Sequence, residues 1–300
     1  MAVDDRCAVC GLPLAGVRWR VADRDRAPDL VPTTDAFGTA LADIGRCDGC
    51  GHMQLRPMPI AAELDAAYAK AASDEYVEEE AGQRATAARV LAMTERHVPR
   101  GRLADIGSWV GFLVSEAERR GWDAVGVEPS AWAAGWAHAE LGVQVIERDL
   151  FSSGLAVGSV DAVVMGDVIE HLPDPAAALG EVRRLLAPGG VATIVAPNTG
   201  STVARLLGPR WWSVIPTHVQ YFTQASLCLL ARRTGFEILE AGRSPKDFSV
   251  DYYLGRLSGY SGPAGATLQR AARAVGIADR MVAPDFGDRM AIVIRPRADS

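Results

Sequence analysis

The sequence predicts an α/β protein: a doubly wound, mostly parallel sheet of seven strands, preceded by a small cysteine-rich module. Three observations predict it. From residue 102 onward, short apolar runs alternate with amphipathic helical stretches, the rhythm of βαβ units. Four of the five cysteines fall in the first fifty residues, as two Cys-x-x-Cys pairs. The chain has 300 residues, 49% apolar and 23% charged, which is room for about two domains and a sizeable core.

The N-terminal module comes first. Cys7, Cys10, Cys47 and Cys50 have the spacing of a four-cysteine zinc site, because each pair can aim two thiolates at one ion. Gly11 and Gly51 follow the pairs and let the chain turn under the metal. Two disulfides or a redox pair are the rival readings, but no βαβ context surrounds the pairs and nothing at Met1–Cys7 marks the chain for export, so a cytoplasmic location is expected. Four protein ligands leave no open position, so the zinc is expected to be structural. Residues 1–58 are too few to hold a core without it. His52 reads as a neighbour of the site rather than a ligand.

Residues 59–100 read as a helical connector or lid. A helix is expected over Ala61–Ala72 and another over about Gln83–His97. Residues 63–80 carry seven acids against one lysine, an excess equal to the whole chain's net charge of −6. These acids read as a solvated helix face.

Residues 101–300 form the second domain. Strands are expected at Leu103–Ile106, Ala124–Val127, Val143–Ile146, Val160–Met165 and Val191–Ala196, with closing strands at Phe236–Ala241 and Met290–Ile294. Helices are expected at Leu113–Arg120, Ala131–Leu141 and Pro175–Leu186. About 245–287 reads as a helical insertion, with one amphipathic helix near Leu268–Val275. Cys228, in a helix over Leu227–Arg232, reads as a buried small apolar residue.

The turns after the strands carry the chemistry. The first reads Asp105-Ile-Gly107-Ser-Trp109-Val-Gly111. A dinucleotide turn needs Gly-x-Gly-x-x-Gly, and Trp109 and Phe112 stand at its second and third glycines. Acid-x-Gly-x-x-x-Gly fits better: the acid can pair with a cationic ligand group, and the glycines let a nucleoside approach. Glu128 ends the second strand, where a carboxylate can accept both hydroxyls of a ribose. Asp149 follows the third strand and can accept from an adenine amino group. The fourth turn reads Asp167-Val-Ile-Glu170-His171-Leu-Pro-Asp-Pro175.

In this order and spacing, the series resembles the class I S-adenosylmethionine-dependent methyltransferases, whose domain is a Rossmann-like fold. The likeness extends to the N-terminus. Two Cys-x-x-Cys-Gly pairs, the second before a Pro-x-Pro, followed by a tyrosine-bearing helix, resemble zinc-ribbon methyltransferases of sugar and secondary-metabolite pathways. The resemblance covers most of residues 7–242. It implies that Asp105, Gly107 and Gly111 hold the methionine part of the cofactor, Glu128 its ribose and Asp149 its adenine. It places Asp167 beside the methyl group. Trp109 stands where many relatives have glycine, and it either packs on the cofactor or covers the sheet edge. The related C-methyltransferases carry a further C-terminal domain that 300 residues do not hold.

Methyl transfer asks the protein to position an acceptor and remove a proton. His218 is the leading candidate base. It lies in Pro216-Thr-His218-Val-Gln-Tyr221-Phe-Thr223, similar to the His-x-x-Tyr-Phe-Ser/Thr stretch in which the relatives' histidine serves as base. A glutamate precedes that histidine in the relatives, and Thr217 stands here, which leaves O-methylation open. His171 and Glu170 are the other candidates. His97 and His138 read as structural. Tyr68 and Tyr76 match tyrosines that help cover the substrate in relatives, and Tyr221 is a further substrate-binding candidate.

The sequence thus leads to an enzyme that methylates a small hydroxylated metabolite, a sugar or secondary-metabolite intermediate, at oxygen or carbon. Two alternatives stand beside it. One is an rRNA or tRNA methyltransferase, disfavoured by the acidic balance; residues 1–58 hold eight acids and seven arginines and so offer no basic footprint. The other is a non-catalytic cofactor-binding subunit, if Trp109 blocks the pocket. No apolar run approaches the ~18 residues of a membrane span.

Overall fold

The computed structural model describes residues 6–22, 37–69, 77, 79–258, 260 and 262–298. Near the N-terminus, β1 (Gly16–Trp19), β2 (Asp43–Arg46) and β3 (Met53–Arg56) form an antiparallel meander. The alternating strands then follow: β4 (Arg102–Ile106), β5 (Asp123–Glu128), β6 (Val145–Glu147), β7 (Val160–Gly166) and β8 (Leu186–Pro197). The short β9 (Gln220–Tyr221) pairs with β3 and makes the N-terminal sheet four-stranded. β10 (Phe236–Arg243), a small ribbon of β11 (Phe248–Ser249) and β12 (Met281–Val282), and β13 (Arg289–Pro296) complete the set.

The main sheet runs β10-β13-β8-β7-β4-β5-β6. Strands β8 through β6 in that order are parallel, and β13 runs antiparallel to both its neighbours. The sequence-predicted seven-stranded, mostly parallel, doubly wound sheet is therefore present. β8 begins five residues before its apolar run, because Leu186 pairs with Val160 across an irregularity.

Period-two alternation explains the two cores. Ala104, Ile106, Val163 and Met165 face one layer, with the helices Pro175–Leu185 and Gln224–Arg233 packed over them. Leu103, Ala162 and Val164 face the other, under the helices Glu80–Thr94 and Phe112–Arg119. Both faces are covered, so the strands read as nearly continuous apolar runs. Local signals set the helix starts. Asp174 accepts from Ala177 N–H ahead of Pro175, and Thr223 forms a reciprocal capping box with Ser226.

Helix prediction is less complete elsewhere. The expected helix Ala61–Ala72 is seen as Ala61–Tyr68, and residues 70–76, including Tyr76, lie outside the described residues. Ala131–Leu141 divides into an α-helix to Trp136 and a π-turn over Ala137–Leu141. The region 245–287 holds two helices, Val250–Ser258 and Gly262–Ala274, rather than one.

The chain enters at β4, builds β5 and β6 on one side, then crosses to β7 on the other. The strand order therefore reverses between β4 and β7. In open α/β sheets the ligand crevice opens at the carboxyl ends of the strands at this point.

Candidate active site

A cavity of about 1080 Å³ opens at these strand ends. Its β5–β6 side is lined by Gly107, Trp109, Glu128 and Asp149. Gly107 is held at φ +70, and a Cβ there would meet Val168 at 2.5 Å, so a side chain is excluded both by conformation and by space. Trp109 follows, also left-handed at φ 48, with its ring 5.7 Å from Trp132. It borders the cavity and leaves it open.

Glu128 ends β5 and is 5% exposed. Its two oxygens accept from Trp109 N–H at 2.9 Å and Ser130 N–H at 2.8 Å, which fixes the carboxylate in place. Burial raises its pKa, and the two N–H groups oppose the rise. Asp105, 4% exposed near the end of β4, is not among the residues that line the cavity; the resemblance assigns it to the cofactor, but its place inside β4 buries it in the sheet. Burial, and then the charge of Glu128, push its carboxyl well above the usual range. Asp149 accepts from Phe151 N–H, Ser152 N–H and the Ser152 hydroxyl, so it caps its own turn at the cavity edge. Gly111, at φ +78, precedes the helix Phe112–Arg119 and packs on Val143 and Ala137 away from the cavity.

The other side of the cavity is built by the turns after β7 and before β9, and by the C-terminal region. Asp167 follows β7 in a left-handed conformation, φ 57, which aspartate tolerates better than most residues. Lys246 Nζ reaches one of its oxygens at 2.8 Å, and Arg289 donates to the other. Burial alone would raise this carboxyl, but Arg289 and Lys246 hold it far below the usual carboxylate range.

His171 and His218 line the same side, with ring centroids 4.7 Å apart and edge-to-face. His218 Nδ1–H donates to the Ser213 carbonyl at 2.8 Å, and His171 Nδ1–H to the Thr217 carbonyl at 2.9 Å. Tyr68, from the helix Ala61–Tyr68, reaches His171 Nδ1 with its hydroxyl and donates to Thr217 O at 3.2 Å. Glu170 stands behind the histidines, 1% exposed, with Oε1 4.0 Å from His218 Nε2. A backbone bond from Val219 N–H to Glu170 O, 2.9 Å, ties the two segments together. A carboxylate from another part of the chain thus stands near His218, which Thr217 had appeared to deny it.

The titration order runs against a histidine base poised near neutrality. Burial lowers His171 to about 4, and burial followed by the His171 charge lowers His218 well below its ordinary value. Burial, and then Asp167, push Glu170 up to about 8. Among the three, the group that titrates near neutrality is the acid. Tyr221 is placed away from the cavity wall: it is 2% exposed in β9, within the core of the small sheet.

Sequence reasoning missed Lys246, Arg289 and an aromatic wall of Phe248, Tyr252, Tyr253 and Tyr260. One signal was available: only two of the 31 cationic residues are lysines, and Lys246 is one of them.

At the far end of the small sheet, the four cysteine sulfurs converge. Cys7 Sγ–Cys50 Sγ is 3.5 Å and Cys10 Sγ–Cys47 Sγ is 3.4 Å, none is in a disulfide, and all four lie within 4.8 Å of one another. Four thiolates bonded at ~2.3 Å to one tetrahedral ion would be spaced much like this.

The sheet order and a nucleoside-sized crevice at its reversal define the class: a Rossmann-like methyltransferase fold. A family model described as "Methyltransferase domain" matches residues 76–241, more than half of the chain, and the chain belongs to that family. An uncharacterized methyltransferase of Mycobacterium sp. (strain KMS) is 38% identical over 101 residues, 32% of this chain and 39% of that protein. The chain thus spans about two fifths of that relative's length. A ubiquinone biosynthesis O-methyltransferase of Cereibacter sphaeroides is 30% identical over 175 residues, 50% of this chain and 71% of that protein. Among solved structures, an S-adenosylmethionine-dependent methyltransferase from Archaeoglobus fulgidus aligns with TM-score 0.51 at 16% identity, covering 74% of this chain and 99% of its own. One from Thermotoga maritima, a possible histamine N-methyltransferase, aligns with TM-score 0.50 at 21% identity, covering 75% and 95%. No helix among the described residues is long and apolar enough to cross a membrane.

Proposed function

We propose that this chain transfers a methyl group from S-adenosylmethionine to a hydroxyl group of a small metabolite, with a structural zinc ion on Cys7, Cys10, Cys47 and Cys50. The observation that carries the reading is one uninterrupted cavity, lined by Glu128 on one side and by His171 and His218 on the other. When bound, the cofactor supplies an activated methyl group on a sulfonium sulfur. Glu128, fixed by two backbone N–H groups, suits the ribose hydroxyls, and Asp105, close enough to feel the Glu128 charge, suits the ammonium of the methionine part. Asp149 at the cavity edge suits the adenine. Asp167, locked by Lys246 and Arg289, stiffens the floor where the two substrates meet.

The acceptor reading rests on the opposite wall. Phe248, Tyr252, Tyr253 and Tyr260 offer an aromatic surface, and the Glu170–His171–His218 cluster offers the polar end at which a hydroxyl is bound and loses its proton. That combination favours a secondary-metabolite intermediate with a planar or apolar body over a free sugar. The O-methyltransferase name of the Cereibacter relative supports oxygen as the accepting atom. The open cavity beside Trp109 speaks against a blocked, non-catalytic subunit, and the net charge of −6 against a nucleic-acid acceptor.

Calorimetry with S-adenosylhomocysteine is expected to show one site per chain, and a folded, zinc-loaded protein giving no heat would sink the cofactor reading. Incubation with methyl-labelled cofactor and extract of the source cell is expected to label a small molecule. His218→Ala is expected to abolish that labelling while S-adenosylhomocysteine still binds.

A further inference from the structure

Glu170 is 1% exposed, and neither of its carboxylate oxygens has a hydrogen-bond partner among the described residues. A buried acceptor left unmatched is costly, so such a group calls for a partner. The nearest nitrogen, His218 Nε2, is 4.0 Å from Oε1, beyond hydrogen-bond reach. Both neighbouring imidazoles are pinned from outside. Ser213 O can only accept, so the proton it holds sits on Nδ1 of His218, and His218 Nε2 keeps its lone pair; Thr217 O likewise accepts from His171 Nδ1, which the Tyr68 hydroxyl also meets. One ligand atom from each of Glu170, His171 and His218 lies within 4.8 Å of the other two.

Two imidazoles whose outer N–H groups are fixed by carbonyls, beside a carboxylate with no partner, have the make-up of a metal ligand set. We propose that Glu170, His171 and His218 form a divalent-cation site, separate from the four cysteines and opening on the acceptor side of the cavity. Two nitrogens and one carboxylate select a cation of the Mn²⁺, Fe²⁺ or Zn²⁺ kind and leave positions open for other ligands. A general base alone leaves Glu170 without a partner, whereas a cation satisfies all three groups at once. The histidines line the cavity and Glu170 lies behind them, so the open positions face the acceptor.

The use of the cation rests on the methyl-transfer reading; its binding does not. An acceptor with two adjacent oxygens, a catechol or other vicinal diol, would chelate it. Coordination acidifies the acceptor hydroxyl. Its proton leaves to water, its oxygen forms the bond to the methyl carbon, and the carbon–sulfur bond breaks to leave a neutral thioether. His218 then acts as a ligand that positions the acceptor, not as the proton's destination.

The test uses the full chain with its cysteine site already loaded with zinc, titrated with Mn²⁺ and followed by electron paramagnetic resonance. One saturable Mn²⁺ per chain is expected. Glu170→Gln and His218→Ala should each weaken it at least tenfold, with zinc content and S-adenosylhomocysteine binding retained. No saturable Mn²⁺ in the wild type, or affinity unmoved in both variants, would overturn the proposal. Should the variants not fold, pulsed measurements on the wild type decide: coupling of Mn²⁺ to imidazole nitrogen is required, and its absence rejects the site. Mn²⁺ binding without S-adenosylhomocysteine binding would strike the methyl-transfer reading and leave the cation site standing; the reverse result would do the opposite.

Discussion

β7 is buried along almost its whole length, whereas β1 in the N-terminal sheet shows side chains half-buried or exposed at every position. The main sheet thus draws its stability from two apolar layers, at about 1.5–3 kcal/mol for each large side chain fully buried. The small sheet draws on other segments. Its core includes Leu64, Trp211, Val214 and Val219, and its fourth strand, β9, begins two residues after His218. At its other end, the four cysteines converge. The N-terminal module therefore works as a clamp: it holds the loop that carries His218 rather than forming an independent unit.

Removing a ligand of the proposed zinc cross-link should have the largest effect. A structural zinc ion contributes on the order of 10 kcal/mol of folding free energy to a small module. In Cys47→Ser, the small sheet is expected to melt while the seven-stranded sheet persists. Metal analysis should find the zinc gone, and limited proteolysis should cut first within residues 1–58. S-adenosylhomocysteine binding, seated on β4 and β5, should survive, while turnover falls on the order of 100-fold, the usual scale of loss when a reacting group is misplaced. Equal loss of both would mean that the module supports the whole protein, not the loop.

Asp167→Asn tests the large sheet at its one strained, charged position. It leaves Lys246 and Arg289 facing each other without their shared carboxylate. Asp167 is 30% exposed, so the low end of the buried-pair range applies, about 3 kcal/mol. Thermal unfolding should show this as a Tm fall of roughly 6–12 °C in a domain of this size. An unchanged Tm would mean that the cations find solvent instead.

Gln220→Ala sharpens the clamp with a smaller effect. Gln220 Oε1 bonds buried His52 at 2.8 Å, and its Nε2 donates to Pro173 O at 3.0 Å and Leu172 O at 3.3 Å. It therefore joins the cysteine module to the turn after His171. Its loss orphans His52 and two carbonyls, at a cost of about 1–3 kcal/mol. Urea titration should show a lower midpoint with an unchanged slope. The acceptor's KM should rise more than that of the cofactor.

The two regions were unequally legible in the sequence, for the same physical reason. Strands covered on both faces must be apolar throughout, so β4, β5, β7, β8 and β13 stood out. β1, β2 and β3 have four residues each and are stabilised by distant partners, so no periodicity announced them. β9 has two residues, and its pairing with β3 depends on the folded chain. Within the turns Asp105–Gly111 and Asp167–Pro175, the cavity-lining Gly107, Trp109, Asp167 and His171 were legible because they sit in contiguous motifs. The approach of Glu170 to His218, 48 residues apart, was not. Nor was the ammonium of Lys246 on Asp167, although the rarity of lysine hinted at it.

The subtlest prediction separates the cofactor side of the cavity from the acceptor side by pH. Burial, then Glu128, raise the Asp105 carboxyl of the cofactor-free protein well above its ordinary value of 3.8. For a raised acid, the stabilising contribution is complete below the unfolded value and is lost as pH rises through the folded one. Unfolding of the cofactor-free protein should therefore ease as pH climbs from about 4 toward the raised value. A cationic ligand group beside Asp105 reverses the shift and expels the proton. S-adenosylhomocysteine affinity should then rise with pH across this window, by at most about tenfold per unit, and level off above it. Calorimetry in two buffers of different ionisation enthalpy should read up to one proton released per ligand bound. In Asp105→Asn the release should vanish and the affinity should fall. Release that persists in the variant would assign the proton to Glu128 instead and move the ammonium site one strand over.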